Sequence, residues 1–356
     1  MSTTTASRSL LASEQRSSDL ELTIGRDPAA FRVLTGDRPT GPLHIGHYFG
    51  TLHNRVRLQD AGAEVLVLIA DYQVLTDRTA AANLRADVLG LVADYLATGI
   101  DPGRATIFAH SQVAALNQLM LPFLSLVSVA EVSRNPTVKD EMATAGSAGL
   151  SALMFSYPVH QAADILSCHA NVIPVGQDQL PHIELTRLIA RRFNDRYSPG
   201  QPYFREPAAL LSQAPLLLGL DGRKMSKSLR NTVPISATAD ETARLIATAR
   251  TDAERVITYE PRRRPEVASL LLTAALCRDT TPEQLAAEIG GGGAAALKAT
   301  VTDAVNESFA SIRSRRVELA SDPGYLRAVL AEGNERAGAI AAETIAAVGA
   351  LMHTSY

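Results

Sequence analysis

Apolar positions along this chain fall in two rhythms, and the change comes near Pro234. Before it, short apolar runs alternate with stretches of helical period. Residues 32–35 predict a buried strand that runs into the turn Gly36–Gly41 and a helix from about His44 to Gln59. The run Glu64-Val-Leu-Val-Leu-Ile69 shows no polar alternation after its first residue. That is the pattern of a strand covered on both faces, as in a parallel sheet. Further strands are predicted at 105–108 and 171–175, with helices over 84–98, 117–129 and 180–193. The alternation predicts a doubly wound parallel α/β sheet.

After Pro234 the period is helical throughout, in Ala-rich segments at 238–249, 267–276, 282–289, 294–319 and 324–351. The chain therefore divides into an extension (1–28), an α/β domain (29–233), an all-helical domain (234–320) and a last helix (321–356) expected to pack back on the α/β domain. Met1–Ser18 is rich in Ser, Thr and Ala and lacks the apolar core of a secretory signal, so a flexible extension is expected. The run Gly290–Gly293 follows a helix and has no Lys-Ser/Thr ending, which makes it a connection rather than a phosphate loop.

Composition narrows the classes. A net charge of −3 excludes a uniformly basic surface, though a local basic stripe suffices for nucleic acid. Two cysteines, Cys168 and Cys277, cannot build a multi-cysteine metal site, and no metal centre is expected. Their scarcity fits a reducing cytoplasm. No apolar run approaches the ~20 residues of a membrane span.

Two segments carry candidate chemistry. Pro39-Thr40-Gly41-Pro-Leu-His44-Ile-Gly46-His47 joins a predicted strand to a predicted helix, the place where α/β sheets bind ligands. Two imidazoles at a helix N-terminus can donate to phosphate oxygens, aided by the helix dipole. Gly46 leaves room for a flat base, and Thr40 offers a hydroxyl near the same phosphates. Far downstream, Gly222-Arg-Lys224-Met225-Ser226-Lys227-Ser228 is a cationic loop able to neutralise a leaving pyrophosphate.

In this order and on this fold, the two strings resemble the HIGH and KMSKS signatures of class I aminoacyl-tRNA synthetases. The interval between them leaves no room for a large editing insertion, which narrows the resemblance to the compact Trp and Tyr enzymes. The strings from Tyr157 to Leu166 and from Val175 to Arg187 resemble the tryptophanyl-tRNA synthetases. The resemblance implies a Rossmann-like catalytic domain and a helical anticodon-binding domain. It implies ATP with Mg²⁺, L-tryptophan and tRNA(Trp) as ligands, and a cytoplasmic homodimer. His44, His47, Lys224 and Lys227 would be catalytic. Thr40, Gly41, Gly46, Lys139, Asp178, Met225, Ser226 and Ser228 would bind ATP, with Asp178 on the ribose. Asp164 would accept the indole N–H, a group that only donates. Gln161 and Tyr157 lie three and seven residues before it, on the same helix face. Tyr157 and Gln179 would hold the amino group and backbone of the substrate. His182 and Glu184 are read as packing residues, and His160 and His169 as structural or surface ones. Arg262–Arg264, Arg313, Arg315 and Arg316 offer cations for tRNA phosphates. Competing readings are a nucleotidyltransferase that adenylates another molecule and a duplicated synthetase turned regulatory protein.

Two positions depart from the family. Arg38 stands where Gln is usual, and Gln73 where His is common, both facing the tryptophan pocket. With Gly-Asp-Arg-Pro-Thr-Gly, they resemble the divergent auxiliary form, some members of which tolerate indolmycin. The inhibition constant for indolmycin is expected to exceed that of a relative with His at position 73. Equal constants would remove the expectation.

Overall fold

The computed structural model describes residues 2–76, 83–145, 150–211, 216–227 and 229–356. Among them five strands form one parallel sheet: β1 (Arg32–Asp37), β2 (Glu64–Ile69), β3 (Ala105–Ala109), β4 (Val172–Val175) and β5 (Ala208–Leu211). The order is β3-β2-β1-β4-β5, with Arg32 opposite Glu64, Val65 opposite Ala105, Val33 opposite Val172 and Val172 opposite Ala208. The chain winds outward from β1 through β2 to β3, then returns to the other side of β1. The loops leaving β1 and β4 therefore diverge and open a crevice at the carboxyl edge.

The apolar run of β2 explains the layering. Val65, Val67 and Ile69 join one core, while Leu66 and Leu68 join another on the opposite face. The first core continues without a break into the helical half of the chain, through Leu271, Val301 and Phe309. The Phe309 ring lies 4.8 Å from that of Tyr48, one turn beyond His44 and His47. The helix that follows His44 runs through Ile45–His47, a π turn at Tyr48–Leu52 and His53–Ala61, and ends at Gly62 with φ +101°.

Both edges of the sheet are covered, and the terminal segments cover them. The residues expected to be a floppy extension form a helix, Ser2–Arg26. Ser17 accepts the Leu211 N–H of edge strand β5 at 2.8 Å, Ile24 is buried, and Glu21 pairs with Arg57. Ser17, Leu20 and Ile24 share one helical face, a stripe too polar to stand out in a Ser/Thr-rich segment. On the other edge, the Pro323–Leu351 helix lies on β3. Asn334 accepts the Ala109 N–H at 3.0 Å, Arg336 donates to Pro102 O at 2.7 Å, and Thr344 donates to Ser167 O at 2.7 Å. Capping both edges removes two templates for unwanted strand pairing.

Other expectations need correction. The helix predicted over 117–129 is broken. Ala114–Gln118 and Met120–Leu124 end where Ser125 bonds back to Pro122 O, and Val129–Ser133 restarts with a capping box between Ser128 and Glu131. Local side-chain bonds outcompete a continuous helix there. Strand β5 and the helix Pro136–Ala145 were not expected. The Gly290–Gly292 run is a 3₁₀ turn between two helices.

Gly333 fixes how closely the last helix approaches the sheet. A Cβ there would lie 1.8 Å from Ile107 O. Gly333→Ala is expected to cost about 3 kcal/mol, because neither backbone can yield. Gly338→Ala, where nothing lies within 4 Å, should be neutral or slightly stabilising. Urea unfolding compares them, and equal stability of the two variants would disprove this packing.

Candidate active site

The turn after β1 is held by segments far from it in sequence. Ile45 N–H donates to Val233 O at 3.0 Å and Ile235 N–H to Leu43 O at 2.9 Å, so the turn pairs with the chain just beyond the Lys224–Ser228 loop. Leu43 N–H donates to the buried Asp94 carboxylate at 3.1 Å. Gly41 adopts φ +105°, a left-handed turn that suits glycine.

His44 and His47 come together with ring centroids 3.7 Å apart. His44 N–H donates to Nδ1 of His47 at 3.3 Å, so the proton of neutral His47 sits on Nε2. Burial pushes His44 down to about 3, helped by the charges of His47 and Lys227. Burial likewise takes His47 down to about 4, against the pull of Asp37. Both rings are neutral at pH 7. Asp37 is itself pushed up by burial but pulled down further, to about 2, by Arg55 (2.6 Å) and the Tyr95 hydroxyl (2.8 Å).

The cationic loop reaches this turn. Lys227 Nζ donates to Gly41 O at 2.8 Å. A Cβ on Gly46 would meet Met225 Sδ at 2.9 Å and His44 Nδ1 at 3.0 Å. The space expected for a base is thus filled here by the Met225 and His44 side chains. Asn231, buried and not singled out from sequence, shapes the loop. It accepts Ser226 N–H at 2.8 Å and donates to Asp221 at 2.7 Å and to Lys224 O at 3.1 Å. Lys224 is exposed. Ser228 lies outside the described residues. Thr40 is half-buried in the same turn.

Beside the motifs, at the β1–β4 crevice, is a cavity of about 410 Å³. Arg38, Gln73, Tyr157, Gln161, Asp164 and Gln179 all line it, with Leu34, Ile165, Ile173 and Val175 as apolar walls. Asp37 and Arg55, which sequence reading passed over, line it too. Asp178 is exposed in the turn after β4 and accepts Gln179 Nε2 at 3.0 Å. Lys139 is exposed on the Pro136–Ala145 helix, whose cavity-facing residues are Thr137 and Glu141.

The polar base of the cavity is deeply buried. Asp164 Oδ1 lies 2.8 Å from His110 Nε2, an ion-pair distance but off the line of an N–H···O bond. The Asp164 charge raises His110 above its usual range although burial, the largest influence, opposes it. His110 was missed. It follows β3 directly, and its place at the carboxyl end of a strand was the available signal. His182 has more than a packing role. Asn135 accepts Thr137 N–H with Oδ1, so its Nδ2 donates to His182 Nδ1 at 3.2 Å. That leaves His182 Nε2–H facing the Tyr157 hydroxyl at 3.1 Å and orienting it.

Three of the six arginines offered for tRNA contact are committed internally. Arg264 pairs with Asp252, Arg316 with Asp94, and Arg313 bonds Asn306 and Thr242. Arg263 is engaged by Glu254 and Glu260 at the surface. Arg262 and Arg315 are exposed. Among the described residues no helix is long and apolar enough to cross a membrane.

A parallel sheet with a His-Ile-Gly-His turn bridged by a Lys-Met-Ser-Lys loop defines a class I synthetase site. The chain matches the model of the tRNA synthetases class I (W and Y) over residues 27–310 and belongs to that family. It is 39% identical over 336 residues to the tryptophan–tRNA ligase of Streptococcus agalactiae serotype V, covering 91% of this chain and 98% of that one. The tryptophan–tRNA ligase of Clostridium longisporum is 38% identical over 322 residues, covering 88% and 94%. The tryptophanyl-tRNA synthetase of Campylobacter jejuni, solved with ADP and tryptophan, superposes with a TM-score of 0.78 at 30% identity, covering 91% of this chain and all of that one.

The buried imidazoles make stability depend on pH. His44, His47, His160, His169 and His182 are held below the ordinary histidine range, chiefly by burial; His110 alone is raised. For a lowered group, the unfolded chain takes up the proton first on acidification. The stabilisation is therefore complete above about 6.5 and is lost as pH falls toward 4. His110 works in the opposite direction and is outnumbered. Urea midpoints should fall from pH 7 to pH 5, less steeply in His182→Asn. A midpoint constant over that window would contradict the neutral-histidine cluster.

Proposed function

We propose that the chain is a tryptophan–tRNA ligase that forms tryptophanyl-adenylate and pyrophosphate from L-tryptophan and ATP, then transfers tryptophan to tRNA(Trp). The observation that carries this reading is the Asp164 carboxylate, 2% exposed, at the base of a cavity beside the two motifs. Its Oδ1 has no aligned hydrogen-bond donor, only the off-line His110 Nε2 at 2.8 Å. An indole N–H supplies an aligned donor, whereas phenylalanine would leave the buried carboxylate with that position unfilled, at a cost in affinity. Tyr157, oriented by His182, and Gln179 would hold the amino group at the cavity wall.

The tryptophan carboxylate is ionised at neutral pH, so the first step needs no general base. A carboxylate oxygen bonds to the α-phosphorus as the bond to the bridging β-phosphate oxygen breaks, and pyrophosphate leaves. The protein's part is positioning and charge stabilisation. His47 offers a neutral Nε2–H to phosphate oxygens. Lys227 and Lys224 neutralise charge growing on the leaving group. Asp178, Thr40, Gly41, Met225, Ser226, Ser228 and Lys139 are assigned to the nucleotide by family likeness. Mg²⁺ arrives on ATP. Bound to ATP it would supply charge neutralisation on the phosphates, beside the lysines and ring N–H groups that the two motifs present. The same reading makes the enzyme a cytoplasmic homodimer whose helical half contacts tRNA, with Arg262 and Arg315 as the available cations.

Amino-acid-dependent ATP–pyrophosphate exchange tests this. Exchange is expected with tryptophan and not with tyrosine or phenylalanine; none with tryptophan would overturn the proposal. Lys227→Ala should lower kcat about 100-fold while tryptophan affinity changes little, because its contact is gained in the transition state. The chain contains no tryptophan, so the bound substrate's own fluorescence reports that affinity directly.

A further inference from the structure

Three buried ligand atoms converge behind the base of the cavity. One ring nitrogen each from His110 and His160 and a carboxylate oxygen of Asp164 all lie within 4.8 Å of one another. The three residues are 0%, 3% and 2% exposed. They come from the carboxyl end of β3 and from two turns of the Ala152–Ser167 helix, where His160 and Asp164 stand four apart on one face.

The protonation pattern is fixed from outside the cluster. Asn117 Nδ2 donates to His110 O at 2.7 Å and to Val113 O at 3.0 Å, which turns Asn117 Oδ1 toward His160. His160 Nε2 is 2.8 Å from that oxygen and must carry the proton. Its Nδ1 therefore presents a lone pair, and no donor meets it. His110 Nδ1 makes no hydrogen bond either, and Asp164 Oδ1 has only its off-line ion pair with His110 Nε2. Buried polar atoms are ordinarily satisfied. An imidazole whose outer N–H is held by a carbonyl oxygen, with its other nitrogen bare, is also how metal-bound histidines are prepared.

We propose that His110, His160 and Asp164 form a binding site for a zinc-class divalent ion, and that an ion held there excludes tryptophan from the pocket. Two imidazoles and one carboxylate suit Zn²⁺ or Co²⁺ and leave a fourth position open toward the cavity. Bonds of about 2.0–2.2 Å place tetrahedral ligand atoms about 3.3 Å apart. His110 Nε2 and Asp164 Oδ1 are already 2.8 Å apart, so small ring rotations complete the set. The exclusion rests on reading Asp164 as the indole acceptor, since a carboxylate oxygen bound to the ion is not available to the N–H.

The test uses the full chain stripped with chelator and titrated with Co²⁺. The expected result is a visible d–d band that saturates at one equivalent and is bleached by Zn²⁺. His160→Ala and His160→Gln should each weaken Co²⁺ binding by about tenfold or more. Absence of a band in the wild-type protein overturns the site and does not depend on how the variants fold. A band of undiminished affinity in both variants overturns it as well, by placing the ion on other histidines. Tryptophan fluorescence then separates the two readings. Zn²⁺ raising the apparent Kd for tryptophan in proportion to its concentration supports exclusion. Unaltered tryptophan binding alongside a saturated Co²⁺ band keeps the ion site and overturns both the exclusion and the indole role of Asp164.

Discussion

The Asp94 carboxylate holds together the parts on which everything else depends. It is wholly buried, yet it accepts Leu43 N–H from the first motif and pairs with Arg316 from the helical half. Burial raises its pKa, while Arg316 and the Leu43 N–H pull it back down. Removing the arginine would leave a buried charge without compensation, among the costliest changes a core can suffer. One ion pair thus couples the docking of the helical half to the placement of the turn that carries His44 and His47. The shared apolar core through Phe309 and Tyr48 makes the same connection by packing.

This coupling explains what could and could not be seen in the sequence. The strand–helix alternation was legible because β2 is apolar on both faces and its flanking helices keep their period. Both motifs were legible because each is a continuous string. The six residues expected around tryptophan do line one cavity, since the helix Ala152–Ser167 and the turn after β4 are local structures whose spacing is known in advance. What stayed hidden is whatever depends on distant partners. The N-terminal segment folds because β5 has a free edge, and nothing within residues 2–26 announces that edge. Arg316 and Arg264 looked like surface cations because the acids that claim them lie elsewhere in the sequence. His110 gains meaning only when β3 is placed opposite the helix carrying Asp164.

The cavity base shows how a few polar groups can set selectivity in an apolar pocket. Asp164 is enclosed at the cavity base, with His110 and His160 buried behind it, so a group placed against it is judged by what it offers the carboxylate and is not replaced there by bulk water. Tyr157 is tuned less directly. Its hydroxyl is fixed by His182, whose own tautomer is fixed by Asn135, whose orientation is fixed by the Thr137 amide. Each link is an ordinary hydrogen bond, and Thr137 Oγ1, 3.3 Å from the same His182 nitrogen, joins the set that positions the hydroxyl. A pocket wall built this way is already organised before substrate arrives, and the ordering cost is met during folding rather than binding.

The contact between the two motifs bears on catalysis in the same way. Lys227 rests on the neutral carbonyl of Gly41, half-buried, with its pKa lowered by burial against the pull of Asp37, Asp94 and Asp87. A carbonyl oxygen is a weak partner for an ammonium group compared with a phosphate carrying developing charge. In the proposed reaction the lysine has more to gain as pyrophosphate separates than it gives up by leaving Gly41. Met225 stands against Gly46 and the His44 ring, so a base entering that space must displace the Met225 side chain, two residues from the lysine. On the proposed function, nucleotide entry and the placing of the lysine then involve the same loop. That links the binding of the base, which the reaction leaves unchanged, to the stabilisation of charge that exists only in the transition state.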